Sequence, residues 1–364
     1  MMRSLIRSAA ALVLMAAVGV AALEAQANAR WYIATYSNHL LVWDEASEKV
    51  VDRIEVSNFI PTDIVVNEKK DRLYVMEASS QKVEVVDLGT NQVIDEFTLS
   101  EGNVAVRIGS FAPHPSDERA VLFVKRYTKH SDRYEVEGPF ILEYDLITKT
   151  VSDTIPWPDG EERENVSFRY SPDGKTLYLF TDDIIALDAE TFEEVDRWEI
   201  SQALEPGLGR PSFGVTPGTY DQDGVVTSLF RMTDPAQNRR MMGIARVRLS
   251  EKEVDFYTLG TNEPVGRLSV APGGEKAFGL FSEIGRYEFW EFDLVNRRVA
   301  QRVPFEGRPR MGLQVSADGQ KLYIHVAGNT IDIYDSSTFE YLRTVSFDED
   351  MTGVAVIPQG GSTR

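Results

Sequence analysis

The sequence predicts an all-β, seven-bladed β-propeller with four antiparallel strands per blade, because three independent markers repeat along it at a period in the forties. The first is a spaced apolar pair at the end of each unit: Ile54/Val56, Phe97/Leu99, Ile155/Trp157, Trp198/Ile200, Tyr257/Leu259, Val303/Phe305 and Val345/Phe347. The second is an apolar run ending in Asp, at Asp44, Asp87, Asp145, Asp188, Asp293 and Asp335, with Arg248 in the equivalent place of the fifth unit. The third is a turn ahead of each unit's second strand, as in Ser171-Pro172-Asp173-Gly174 and Ser316-Ala317-Asp318-Gly319. Asp and Gly are what a tight hairpin with positive φ requires.

Taken in order, residues 1–29 read as a secretory signal peptide. Arg3 and Arg7 precede an apolar core from Ala9 to Leu23, and both Ala25-Gln26-Ala27 and Ala27-Asn28-Ala29 offer the small-x-small pattern of a cleavage site. That apolar run of roughly fifteen residues falls short of the roughly twenty needed to span a bilayer. No later stretch is apolar enough for insertion after cleavage, so the expected location is periplasmic or secreted. The fold then starts mid-unit at Trp31, without a first strand of its own. Thr352 to Pro358 resembles the first strand of a unit with nothing after it. Joining it to the N-terminal three strands pairs the edges that an open ring would expose. The propeller accordingly spans 30–358, with 359–364 a disordered tail.

Between these ends the apolar runs are too short, and too rich in Val, Ile, Tyr and Phe, for helices. Two units are longer than the rest, through insertions over Tyr127 to Pro139 and Met232 to Met242. Both fall between second and third strands and so on one rim. Long loops on a rigid scaffold are where function usually sits. On the same rim the inner strands begin, and aligning their starts puts Asn165, Arg210 and Arg310 in one register, with Arg267 two residues on and Arg107 one off. Arginines aimed at a central funnel suit an anion or carboxylate; the alternative is pairing with Asp or Glu of the next blade. With Tyr127, His130 and Tyr134 of the long insertion, these residues form the candidate ligand- or partner-binding set.

Composition limits the chemistry. The chain has 364 residues, 43% hydrophobic and 26% charged, enough for a sizeable core. With no cysteine it holds no disulfide, thiolate metal site or covalently attached haem. Its formal net charge is −19, and loss of a leader carrying Arg3, Arg7 and Glu24 makes the remainder slightly more acidic, which disfavours nucleic acid and anionic lipid. His39, His114, His130 and His325 share no ligand spacing, and no nucleophile elbow, phosphate loop or calcium loop is present. No catalytic residue and no metal site is therefore predicted. Asp63, Glu164 and Asn165 near the rim are oxygen donors of the kind that hold a divalent cation, as the central carboxylates do in sugar-lactone-hydrolysing propellers.

Residues 107–145, from Arg107-Ile108-Gly109-Ser110-Phe111 through Tyr134-Glu135-Val136 to Leu142-Glu143-Tyr144-Asp145, resemble the β subunit of quinohemoprotein amine dehydrogenase. So do Lys276-Ala277-Phe278-Gly279 and Arg302-Val303-Pro304, and many of these motifs are shared with surface-layer (YVTN-type) propellers. The resemblance implies a periplasmic seven-bladed subunit with no cofactor of its own, forming one wall of a substrate cleft. Its partners would be a small quinone-bearing subunit and a di-haem cytochrome c subunit. It supplies no catalytic motif to carry over. The expected function is thus a non-catalytic propeller subunit. A stand-alone binding or scaffold propeller is the alternative, and a hydrolase or lyase acting at the funnel is a third reading.

Overall fold

The computed structural model describes residues 27–359, apart from 58–59, 201–208, 210, 215–217, 235 and 327. Every regular element among them is a strand, arranged in seven four-stranded antiparallel sheets. Blade 1 contains β1 (Asn28–Thr35), β2 (His39–Asp44) and β3 (Lys49–Glu55). Blade 2 follows with β4 (Pro61–Val66), β5 (Arg72–Glu77), β6 (Lys82–Asp87) and β7 (Gln92–Thr98). Blade 3 has β8 (Val104–Pro113), β9 (Arg119–Lys129), β10 (Tyr134–Asp145) and β11 (Thr150–Ile155). Blade 4 has β12 (Ser167–Tyr170), β13 (Thr176–Phe180), β14 (Ile184–Asp188) and β15 (Glu194–Trp198). Blade 5 has β16 (Ser212–Phe213), β17 (Val225–Asp234), β18 (Arg239–Arg248) and β19 (Glu253–Thr261). Blade 6 has β20 (Val265–Val270), β21 (Lys276–Glu283), β22 (Arg286–Asp293) and β23 (Arg298–Phe305). Blade 7 has β24 (Met311–Val315), β25 (Lys321–Val326), β26 (Thr330–Asp335) and β27 (Tyr341–Ser346).

The last strand, β28 (Met351–Gln359), returns to blade 1 as its innermost strand, in the order β28-β1-β2-β3. Trp31 lies opposite Val356 and Ile33 opposite Val354, so the ring closes by the pairing expected of Thr352 to Pro358. The pairing reaches further than that expectation, since β1 starts at Asn28 rather than Arg30 and β28 runs to Gln359. Asn28 is held in place: its Nδ2 donates to Asp44 Oδ2 at 2.8 Å and its Oδ1 accepts the backbone N–H of Ala46 at 2.9 Å.

The core sits between blades. Because each sheet is covered on both faces by its neighbours, a middle strand is buried all round: Leu40 to Trp43 in β2 and Val83 to Val86 in β6 are all buried. Strands covered on both faces read as continuous apolar runs instead of alternating ones. The outer strands β3, β7 and β11 are exposed except near their ends, where Ile54, Phe97 and Ile155 turn inward. Those are the first members of the spaced pairs. They lie opposite Leu40, Val83 and Ile141. Phe97 and Met76 of blade 2 then pack with Ile108 and Leu122 of blade 3 in one apolar cluster.

The Asp that ends each third strand has a physical reason. In the turn that follows, its carboxylate accepts backbone N–H groups that no strand partner can reach. Asp44 accepts from Ser47 and Asp87 from Thr90, each at 2.8 Å, and Asp188 from Glu190 and Thr191, each at 2.9 Å. Arg248, the exception, braces its turn with an ion pair to Glu253 at 2.7 Å.

Other polar contacts fix blade to blade. Asp117 of blade 3 accepts from Asn67 Nδ2 (3.1 Å) and Lys69 Nζ (2.8 Å) of blade 2. His114 Nε2 lies 3.0 Å from the carbonyl of Gly174 in blade 4, with the ring edge-on to Tyr170. Glu45 of blade 1 accepts the N–H of Ala317 in blade 7 at 2.8 Å and the indole N–H of Trp31 at 3.0 Å.

A candidate groove on the hairpin rim and a channel on the axis

The two insertions differ from the expected loops. In blade 3 the strands themselves lengthen: β9 and β10 stay paired as far as Lys129 opposite Tyr134, and only residues 130–133 turn. In blade 5, β17 and β18 pair to Asp234 opposite Arg239. The ladder continues because two extended strands satisfy each other's N–H and C=O groups, helped in blade 3 by Tyr127, Thr128, Tyr134 and Val136, which favour extended backbone. Each hairpin is therefore a stiff arm on the same rim.

The blade 3 arm shapes a groove. Tyr127, Lys129 and Tyr134 form one wall, Gln81 and the 100–105 segment form the other, and the space between is about 310 Å³. Tyr134 is 65% exposed and Val136 56% exposed, an apolar surface on a strand that nothing covers. Arg107 lies across from Lys125, with its guanidinium 5.3 Å from the Tyr127 ring centre. At the tip, His130 Nε2 is 3.0 Å from Glu135 Oε2. The structure thus brings Arg107, Tyr127, His130 and Tyr134 onto one arm and its base.

The remaining candidates are elsewhere. Asn165 is exposed in the connection from β11 to β12. Arg267 and Arg310 are exposed and take left-handed backbone, φ 55° and 63°. Arg267 sits in the irregularity that interrupts β20 between Gly266 and Ser269. Arg210 lies outside the described residues. None of Arg107, Arg267 and Arg310 makes an ion pair among the described residues, so pairing with a neighbouring blade does not account for them. None of the three, nor Asn165, lines the central cavity. Of the three oxygen donors near the rim, Glu164 pairs with Lys125, whereas Asp63 faces the axis. No cluster of three or more His, Asp or Glu suited to a metal occurs among the described residues. No helix among them is long and apolar enough to cross a membrane.

The axial channel holds about 520 Å³ and occupies the half of the ring beside the tight turns. Its wall includes the ends of inner strands β28, β4, β8 and β12, together with Glu68, Lys70, Gln222 and Asp223 from the turns. The turn leading into β17 leans across it. Thr219 donates to Gln314 Oε1 of blade 7 at 3.0 Å, and Tyr220 is buried in a cluster with Ala271, Ala317 and Tyr323. The Asp221-Gln222-Asp223-Gly224 turn therefore begins as an inward bend, and only its last residues form the tight hairpin.

One side chain in this wall was missed by sequence reasoning. Arg169 on β12 points inward, alternating with buried Phe168 and Tyr170. Its Nη1 is fully occluded, and among the described residues it has no hydrogen-bond partner and forms no ion pair. Burial lowers its pKa from the usual value, while the charges of Glu68, Asp221 and Asp223 act the other way. The signal was available from the turn hydrogen bonds. An N–H donated back across the first turn, as from Ser171 to the Thr176 carbonyl, recurs at Asn67, His114, Ala271 and Ser316. Two residues before each stand Val65, Ala112, Ser269 and Gln314, all uncharged, against Arg169 in blade 4. His325 also lines the channel, its ring lying over Gly312, where any side chain would collide with it. Burial and the Arg267 charge push its pKa down to about 4, so the imidazole is neutral.

No protein-family model matches the chain, and no curated protein matches it by sequence. Solved structures do resemble it. The crystal structure of AztD from Citrobacter koseri is 15% identical with a TM-score of 0.56, covering 93% of this chain and 100% of that one. A functionally unknown protein from Desulfotomaculum acetoxidans is 14% identical with a TM-score of 0.55, covering 91% of this chain and 99% of that one. The dihydro-heme d1 dehydrogenase NirN, in complex with DHE, is 12% identical with a TM-score of 0.53, covering 90% of this chain and 74% of that one. Identities this low speak to fold alone, and what they support is that this chain is a seven-bladed β-propeller.

Proposed function

We propose that the chain is an exported, non-catalytic propeller subunit that docks a cofactor-bearing partner on its hairpin rim. The observation that carries this reading is the β9–β10 arm, which holds Tyr134 and Val136 clear of the ring beside a preformed groove. A stiff strand pair presents such side chains at little ordering cost, and exposed aromatics on a rigid element are typical anchors of a partner surface. The resemblance to the β subunit of quinohemoprotein amine dehydrogenase supplies the kind of partner: a small quinone-bearing subunit and a di-haem cytochrome c subunit, with no cofactor in this chain. The N-terminal segment supports a periplasmic location, where such a complex would assemble.

The test is gentle isolation of the native protein from periplasm, followed by haem staining and native mass measurement. A co-migrating haem protein is the expected result, and a lone monomer free of haem-staining partners would overturn the reading. The second reading, a stand-alone binding propeller, is favoured by the axial channel and its unpaired Arg169.

A further inference from the structure

Arg169 presents an electrostatic demand that the fold leaves unmet. A guanidinium with an occluded, unpartnered nitrogen is costly, because a buried donor without an acceptor forfeits its hydration. Of the nearby polar groups, Gln314 accepts from Thr219 and donates to the Val315 carbonyl, and Asn67 donates to Asp71 and Asp117, while Asp221 Oδ1 is buried without a partner and forms no ion pair with Arg169 among the described residues. What Arg169 lacks is an oxyanion. A simple anion, however, meets a wall of the wrong sign, since the channel is lined by Asp63, Glu68, Asp221 and Asp223 against Lys70 and Arg169. Glu68 and Asp223 belong to exposed turns at the mouth and form no ion pair among the described residues, whereas Arg169 lies further in, on the strand.

From Arg169 on the strand wall and the exposed carboxylates Glu68 and Asp223 at the mouth, which outnumber Lys70 there, we infer that the channel binds a small zwitterion of the amino-acid type. Its carboxylate enters first to Arg169 and its ammonium stays outward beside Glu68 and Asp223. The two-pronged guanidinium suits a carboxylate. The volume of about 520 Å³ lies within the range of small-molecule sites. Neutral His325 adds an acceptor or donor to the wall without a competing charge. This site is on the opposite face from the hairpin rim and does not depend on the docking proposal.

Isothermal titration of the isolated chain with four probes tests it: 4-aminobutanoate, pentanoate (the same chain without the ammonium), butylammonium (without the carboxylate) and L-alanine, a zwitterion with its charges closer together. At least one zwitterion is expected to bind tenfold or more tightly than both singly charged probes. Arg169→Gln should remove that binding, Arg169→Lys should restore part of it, and Glu68→Gln with Asp223→Asn should weaken the zwitterion but not pentanoate. Far-ultraviolet circular dichroism and melting curves establish that each variant is folded. Equal binding of pentanoate would overturn the zwitterion assignment, as would failure of both zwitterions to bind, or binding unchanged in Arg169→Gln.

Discussion

The Asp that closes each third strand illustrates how one carboxylate supports a turn. At Asp335, hydrogen bonds from the Ser337 hydroxyl and the backbone of Thr338 and Ser337 hold the pKa down to about 2. At Asp44 partial burial pushes upward, but hydrogen bonds from Asn28 and Ser47 outweigh it and the pKa is lowered. A carboxyl group with a depressed folded pKa contributes stability that is complete above its unfolded value and lost as the pH falls toward the folded one. Melting temperature is therefore expected to decline below about pH 4, the unfolded Asp value, and to keep declining to about pH 2, where Asp335 takes up its proton. Asp44→Ala should flatten part of that decline and lower the melting temperature at pH 7 by about 2 °C, a size typical of one lost polar interaction in a chain this long. These Asp residues were legible because each repeats at the end of an apolar run. Arg169 was not, because its distinction appears only when inner strands are aligned on the hydrogen bond across the turn and not on their rim-side starts. Arg267 and Arg310 aligned well in sequence, yet each sits at a left-handed backbone position that periodicity does not reveal.

At the scale of the element, the four-strand blade followed directly from pattern. Middle strands read as apolar runs, broken in β6 only by the buried Glu84, and outer strands as mixed ones, and that is how they are buried. The two insertions were located correctly as lengthenings between second and third strands, but their polar residues read as loop. The structure pairs them instead, since two extended arms can satisfy one another's backbone far from the core. A rigid arm makes a sharp prediction. Replacing Tyr134 and Val136 together with Ser should leave the melting temperature within about 1 °C, because exposed surface positions contribute little to stability. The same double variant should lose at least tenfold in affinity for the proposed haem-bearing partner when the two are titrated against each other. A large fall in melting temperature with partner affinity retained would assign the arm to stability.

For the whole molecule, stability depends on closure, and the closing sheet is tied on both sides. Its β1–β28 pairing is continuous from Asn28 to Ala34, and Glu48 of blade 1 pairs with Lys321 and Arg343 of blade 7. Truncation before Met351 removes the innermost strand of that sheet and leaves β1 with a bare edge. The shortened chain is expected to aggregate or to melt without a cooperative transition, and a sharp melt near the full-length value would contradict the role given to closure. The position of Asn28 also bears on processing. Cleavage after Ala27 keeps the bond Asn28 donates to Asp44 and the one it accepts from the Ala46 N–H, whereas cleavage after Ala29 discards them. If the leader is removed as proposed, amino-terminal sequencing of the mature protein is expected to begin at Asn28, and a start at Arg30 would refute this.

The topology of closure also sets an order of events. A polypeptide emerging amino end first, from a ribosome or from a secretion pore, releases β1 to β3 long before the segment that must flank them. During that interval the opening sheet waits one strand short, shielded by its own hydrogen bonds on one side only. The nine residues of β28 act as a latch that the nascent molecule cannot fasten until the other six blades have emerged. Until then the ring stays open, and an unclosed ring is the form that can still be threaded through a narrow pore.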